Sequence, residues 1–243
     1  MEWQDEAYVL SARAHGETGA VVHLLTRSHG LFAAHVAGGA SRKMRPWLQA
    51  GARVMADYRA RSADHLGGAR LEPIGEGPSA LFDDPLALAG LASAAAIAHG
   101  ALPEREPHEG AFEALSALSA ALSLPDIWPA VYIRYELGLL DALGFGLDLS
   151  QCAATGSILD LVYVSPRTGR AVSRSAGAPF EDRLLGLPPF LTAGSNPLRP
   201  GDIGMGLRLT GYFLDLNVFQ PLHRPLPPAR VWLVDKLQAA GRL

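Results

Sequence analysis

The residues with metal-ligand spacing lie in QCAATGSILDLVYVSPRTGRAVSRSAG, from Gln151 to Gly177. Cys152 is the only cysteine of the chain. Thr155 follows it at x2 spacing, and Ser173 and Ala176 repeat that spacing, so the frame reads C-x2-T-x17-S-x2-A. A four-cysteine zinc site has two C-x2-C pairs separated by roughly 15–20 residues. One thiolate with a hydroxyl or two cannot close a tetrahedral zinc site. The expectation is therefore no structural zinc and no other cofactor. The stretch must then be held by hydrogen bonds from Thr155 and Ser173, by turns at Pro166 and Gly169, and by packing of Leu161, Tyr163 and Val172. Nucleophilic use of Cys152 would need a base and an electropositive setting. A hydrolase acting through Cys152 or a histidine is the weakest of the readings weighed.

Other catalytic patterns are missing. Gly38 to Lys43 has glycines and a lysine but not the spacing of a phosphate-binding loop. No G-x-S-x-G elbow occurs. His108–Glu109 begins an HE pair, but position 112 is Phe, so no HExxH zinc helix follows. The carboxylates Asp83, Asp84, Glu104, Glu106 and Glu109 read as caps and solvated loop charge. His23, His29 and His35 fall among strands, where alternation sends some inward and some outward. The reading is a protein that is not an enzyme.

The informative chemistry is charge. The chain is net acidic at −3, yet Arg27–Arg61 holds seven basic residues and one acid, Asp57, a local net of +6. From residue 81 onward 12 basic residues face 16 acidic ones, a net of −4. Such asymmetry points to one surface that meets a polyanion. Arg42, Lys43 and Arg45 are the candidate phosphate contacts, with Arg27, Arg53, Arg59 and Arg61 in support. Contacts of this kind do not read bases and weaken steeply with salt. Phe32, Trp47 and Tyr58 stand beside these charges. Phe32 and Tyr58 read as core. Trp47, next to Pro46, reads either as a stacking platform for bases or as a plug over one mouth of a barrel.

These residues need elements to position them. EAYVLSARA, AVVHLLT, LFAAHVAGG, ARVMADYR and LGGARLEPI read as short strands with partial alternation. Five strands within about 70 residues suit a small closed barrel of the OB or SH3-like kind. The densest basic cluster falls in the connection after the third strand. From about residue 83 the pattern becomes helical. Asp84 caps a first helix with Pro85 at its first position. Phe112, Leu115, Leu118 and Leu122 give a second helix. A third opens at Asp126, carries Trp128, Val131, Tyr135, Leu139 and Leu143 on one side, and closes at Gly144. GDIGMGLRLTGYFLDLNVFQ and PARVWLVDKLQAA complete a helical bundle. No run of about 18 uninterrupted apolar residues appears, so no membrane span is expected. The acidic N-terminus does not read as a signal peptide. A soluble cytoplasmic protein is the default expectation.

Two blocks carry a family resemblance. AYVLSARAHGETGAVVHLLTRSHGLFAAHVAGGASR, with Gly16–Glu17–Thr18, Thr26–Arg27 and Gly30–Leu31, resembles the opening of the bacterial recombination mediator family RecO. YELGLLDALGFGLDLSQCAATG followed by YVSPRTGRAVS, with Leu143–Gly144, Cys152 and Ser165–Gly169, resembles the same family's helix end, cysteine-bearing knuckle and Ser-Pro turn. The resemblance implies an α+β fold: a five-stranded OB-fold barrel over 1–80, then an all-helical domain over 81–243 with a zinc-finger-like hairpin insertion at about 147–178. It implies binding of single- and double-stranded DNA, annealing of complementary strands, and help in loading RecA onto strands coated by single-strand-binding protein (SSB). The implied partners are RecR, possibly RecF, the acidic-hydrophobic C-terminal tail of SSB, and RecA indirectly, in the cytoplasm and associated with the nucleoid. Many members carry four cysteines in the insertion. Here only Cys152 remains, so the family's zinc site is expected to be lost. An alternative emphasis is an interaction hub whose helical domain grips the SSB tail, with DNA contact secondary. Arg134, Arg208, Arg224 and Arg230 are the cations it would use.

Overall fold

A computed structural model describes residues 1–62, 65–193 and 197–243. The first 73 residues form a closed five-stranded barrel. Its strands are β1 (Glu2–His15), β2 (Gly19–Thr26), β3 (Gly30–Val36), β4 (Arg53–Arg59) and β5 (Gly67–Pro73), in the order β1-β2-β3-β5-β4 with β1 closing on β4. The short parallel pairing of β3 with β5, Ala34 with Gly67 and His35 with Gly68, is the closure that makes this an OB barrel. β1 is longer than its apolar pattern suggests. Its first half, Glu2–Tyr8, pairs with β4, and Ala7–His15 pairs with β2. A bulge between Val9 and Ser11 redirects the strand between these two partners.

Alternation divides the strand residues between two cores. Val22, Leu24, Phe32, Ala34, Val54 and Tyr58 fill the barrel. Tyr8, Leu10, Leu25 and Leu31 face outward and join the core of the helical domain. The barrel and the helices therefore share a buried seam. Glu6 fastens its edge: its carboxylate accepts from Arg53 and from Arg27 (3.4 Å), and Arg27 also pairs with Glu113 while its guanidinium lies 4.6 Å over the Phe112 ring. The hydrogen bond from Arg53 holds the Glu6 carboxyl below its usual range despite burial, with Arg27 helping.

The helical domain comprises α1 (Pro85–Ala101), α2 (Glu109–Ala121), α3 (Trp128–Ala142), the short α4 (Arg174–Gly177), α5 (Asp202–Leu214) and α6 (Pro228–Ala239). Asp84 caps α1 as its sequence suggests, accepting from the amides of Leu86 (3.1 Å) and Ala87 (3.0 Å). The third helix starts two residues later than expected. Ile127 takes the N-cap position without a side-chain cap, and Asp126 instead lies 3.4 Å from Arg242. Gly144 ends α3 at φ +83°, with Gly144 N–H donating to Asp141 and Phe145 N–H to Leu140, which is a Schellman termination. A π-helical turn, Asp215–Phe219, follows α5.

α3 is buried on more than one side, and this places a carboxylate, Glu136, at 0% exposure. Arg230 of α6 meets it with two hydrogen bonds, Nε to Oε1 at 3.0 Å and Nη2 to Oε2 at 3.2 Å, and also donates to the Leu207 carbonyl at 2.6 Å. Thr210 of α5 donates to the same carboxylate. Gly211 makes room for the guanidinium, since a Cβ there would lie 2.7 Å from Arg230 Nη1. Burial pulls the Arg230 pKa down and the Glu136 charge more than restores it, so the guanidinium stays charged.

Between α3 and α5 runs the hairpin insertion. Its strands are β6 (Leu161–Val164) and β7 (Ala171–Ser173), antiparallel, with β8 (Leu185–Gly186) on the other edge of β6. No helix among the described residues is long and apolar enough to cross a membrane.

Candidate nucleic-acid interface

The connection from β3 to β4 carries the basic cluster. Arg45–Leu48 form a single 3-10 turn, closed by the amides of Trp47 (2.9 Å) and Leu48 (3.1 Å) on the Met44 carbonyl. Ala40 N–H donates to Thr18 at 3.0 Å and ties the loop to the β1–β2 turn. Met44 and Leu48, four apart, pack onto the barrel core. That leaves Arg42, Lys43 and Arg45 exposed, and none has a carboxylate partner among the described residues. The loop is thus a fixed platform for three unneutralised cations.

The rest of the +6 segment is divided by folding. Arg27 and Arg53 belong to the seam and are neutralised by Glu6 and Glu113, so they are not part of a free cationic face. Arg59 pairs with Glu2 at 3.0 Å and Asp57 at 3.4 Å. Arg61 is exposed without an ion pair among the described residues. Three of the seven cations are therefore countered by acids, most of which lie outside the segment in sequence. Phe32 and Tyr58 are barrel core at 3% and 1% exposure, and Tyr58 stacks on Trp3 with centroids 4.7 Å apart. Trp47 is half-buried. Its ring lies so close to Gly77 that a Cβ there would come within 2.8 Å. It lines a cleft of about 530 Å³ with Lys43 and Arg70.

Two cations that composition did not single out join the loop. Arg13 lines a second cleft of about 360 Å³ with Arg45, and Arg70 stands beside Lys43 and Trp47. Both lie outside the 27–61 window. For Arg70 the available signal was alternation, because β5 reads buried-exposed with Arg70 outward. Arg70 has a weak partner in Glu72 at 3.6 Å.

The cations suggested for a tail-binding groove differ in their surroundings. Arg134 donates to the Phe190 carbonyl at 2.6 Å. Arg208 is exposed on α5, and Arg224 lines a cleft at the seam. Arg230 is 7% exposed and committed to Glu136, so it is removed from any rim.

The knuckle keeps its shape around one thiol. Cys152 is 1% exposed. Its amide donates to Ser157 (2.7 Å), its carbonyl accepts from Gly156 (2.9 Å), and its Sγ accepts the Ser173 amide at 3.2 Å. Burial pushes the Cys152 thiol up, while the hydroxyl and amide of Ser173, the Thr155 hydroxyl and the Ala154 amide pull it down to about 6. Ser173 Oγ is buried without a hydrogen bond of ordinary geometry. The remaining frame position is Ala176, which has no donor atom. Among the described residues no group of three His, Cys, Asp or Glu side chains converges as a metal site. The donor set does not fit four-coordinate zinc.

The class these features define is an OB-barrel protein joined to a helical domain, with a cationic loop on the barrel and a cysteine-knuckle hairpin in the helical part. Comparison with known families agrees. Residues 1–74 match the model of recombination protein O N terminal, and residues 83–225 match recombination protein O C terminal. The chain is 68% identical over 243 residues to a DNA repair protein RecO of Phenylobacterium zucineum and 66% identical to one of Caulobacter vibrioides NA1000, covering 100% of each chain. It is 51% identical to a DNA repair protein RecO of Rhodospirillum centenum, over 99% of this chain and 96% of that one. The chain belongs to the RecO family of DNA repair proteins.

Proposed function

We propose that this RecO-family chain works without catalysis, as a mediator of DNA repair and homologous recombination in the cytoplasm. It binds single- and double-stranded DNA, anneals complementary strands and helps load RecA onto SSB-coated strands, with RecR and possibly RecF. The observation that carries the reading is the anchored β3–β4 loop, which holds Arg42, Lys43 and Arg45 exposed on the OB barrel and without carboxylate partners among the described residues. Phosphate contacts from such a platform position a strand without reading its sequence, as annealing of arbitrary complements requires. Arg13, Arg70 and the exposed edge of Trp47 flank the platform. Simultaneous charge reversal of Arg42, Lys43 and Arg45 tests the assignment. Annealing and strand binding fall together if the loop carries them; unchanged binding refutes it.

A second activity rests on a separate observation. Tyr212 and Leu216 follow Arg208 at helical spacing on one side of α5 and its π-turn, and all three are exposed. On α6, Trp232 is 67% exposed, with Lys236 four residues on. Apolar rows ending in cations suit a short acidic-hydrophobic peptide, the chemistry of an SSB tail. Trp232→Ala in the full chain is expected to weaken tail-peptide affinity at least about tenfold, a loss of about 1.4 kcal/mol, while leaving oligonucleotide affinity intact. Equal peptide binding by both proteins would exclude this face.

The insertion, in this reading, folds without zinc. Elemental analysis of purified protein is expected to find well under one zinc per chain. Near-stoichiometric zinc would contradict it.

A further inference from the structure

His23 and His99 meet across the seam between the two halves of the molecule. Outward alternation on β2 places His23 on the barrel's outer face, and His99 lies in the last turn of α1. Their ring centroids are 4.3 Å apart, and Ser11 Oγ is 3.0 Å from His23 Nδ1. They line a cleft of about 590 Å³, shared with Arg13 of β1, Glu104 after α1 and Arg224 after the π-turn. Among the described residues these five are the titratable and charged groups of the cleft, with Glu104 the single acid. Arg13 also lines the adjoining cleft with Arg45. Arg13 is therefore shared by two clefts, one with Arg45 of the β3–β4 loop and one with Arg224 on the helical domain.

We propose that the cleft formed by Arg13, His23, His99 and Arg224 is a phosphate subsite for the DNA strand that crosses the β3–β4 loop, and that occupying it draws protons onto the histidine pair. The subsite rests on the reading of the loop as a strand-binding platform, and it extends the strand's path from the barrel onto the helical domain. The physical basis is charge balance. In the free protein, burial holds both imidazoles below their usual pKa; at His23 the Glu104 charge opposes burial more strongly than Arg13 adds to it, and at His99 the neighbouring His23 adds to burial, with Glu104 opposing and Arg224 adding less. A phosphate in the cleft opposes that burial penalty. Its negative charge favours the imidazolium form, and each imidazolium adds a charge-assisted donor to the two guanidiniums.

The sign follows from linkage. If binding takes up protons, affinity rises as pH falls. The logarithm of the association constant changes by up to about one per pH unit for each proton taken up. The experiment uses the full chain and single-stranded oligonucleotides, titrated by fluorescence anisotropy at pH 8 and pH 6. The proteins are the wild type, His23→Gln/His99→Gln, Arg224→Gln and the charge-reversed loop variant. The wild type is expected to bind tighter on acidification, by up to about tenfold per pH unit for each proton taken up, and the double histidine variant is expected to lose that dependence. Arg224 is exposed, so Arg224→Gln removes a phosphate partner with little effect on packing. It should reduce the salt slope by about 0.7, one phosphate contact on a single strand.

If the loop variant weakens binding but neither the histidine nor the Arg224 variant changes affinity, pH dependence or salt slope, the subsite is wrong while the loop reading stands. If the loop variant binds like the wild type, the loop reading itself fails. Titration with inorganic phosphate separates the two sources of the anion. A histidine-dependent response to phosphate alone, with oligonucleotide binding unchanged in the double variant, would overturn the proposal by assigning the cleft to a free anion.

Discussion

Arg230→Ala is expected to lower the unfolding free energy by about 3–5 kcal/mol, because it leaves the fully buried Glu136 carboxylate without its counter-charge. The cost lies in the stranded charge more than in the lost pair. Replacing both partners with apolar side chains, as in Glu136→Leu/Arg230→Met, should therefore return most of the stability, to within about 1–2 kcal/mol of the wild type. Urea unfolding of Glu136→Leu, Arg230→Met and the double variant gives the cycle directly. Thr210 and the Leu207 carbonyl also bond to this pair, so the double variant leaves their polar atoms short of partners and is not expected to be fully neutral. If Arg230→Ala unfolded like the wild type, the pair joining α3, α5 and α6 would not hold the bundle as described.

Charge reversal of Arg42, Lys43 and Arg45 together should reduce single-strand affinity on the order of 100-fold at low salt, with double strands weakened alike, because the contacts are to phosphates. The fold should be untouched. The three side chains are exposed and lack carboxylate partners among the described residues, while the loop is anchored by Met44, Leu48 and the Ala40–Thr18 hydrogen bond. Reversing Arg27 or Arg53 instead should act mainly on stability, since both are tied to Glu6 at the seam.

The contrast between these two sets marks how far the sequence could be read. The barrel, the helical order, the Asp84 cap, the Gly144 termination and the hairpin were legible because each is local: alternation, helical spacing or a turn residue reports it. The loop cations were legible because they fall within four residues of one another. Arg27 was misjudged because one of its partners, Glu113, is 86 residues away, and a charge count along a window cannot see an acid delivered by folding. Arg230 was misjudged for a related reason. A single arginine in an otherwise mixed helix reads as surface charge, and nothing near it announces a buried carboxylate on α3. The first strand was cut short because Glu2–Asp5 lack an apolar face of the usual kind, yet they pair with β4. Arg13 and the His23–His99 contact required the seam itself, which joins residues from the barrel and from both ends of the helical domain.

The most direct measurement is the salt dependence of single-strand binding by the wild type and by the triple charge reversal at Arg42, Lys43 and Arg45. The slope of log K against log salt is expected to fall in magnitude by about 2 in the variant, three phosphate contacts at about 0.7 each. An unchanged slope and affinity would place the DNA elsewhere on the molecule and contradict the β3–β4 loop as its platform.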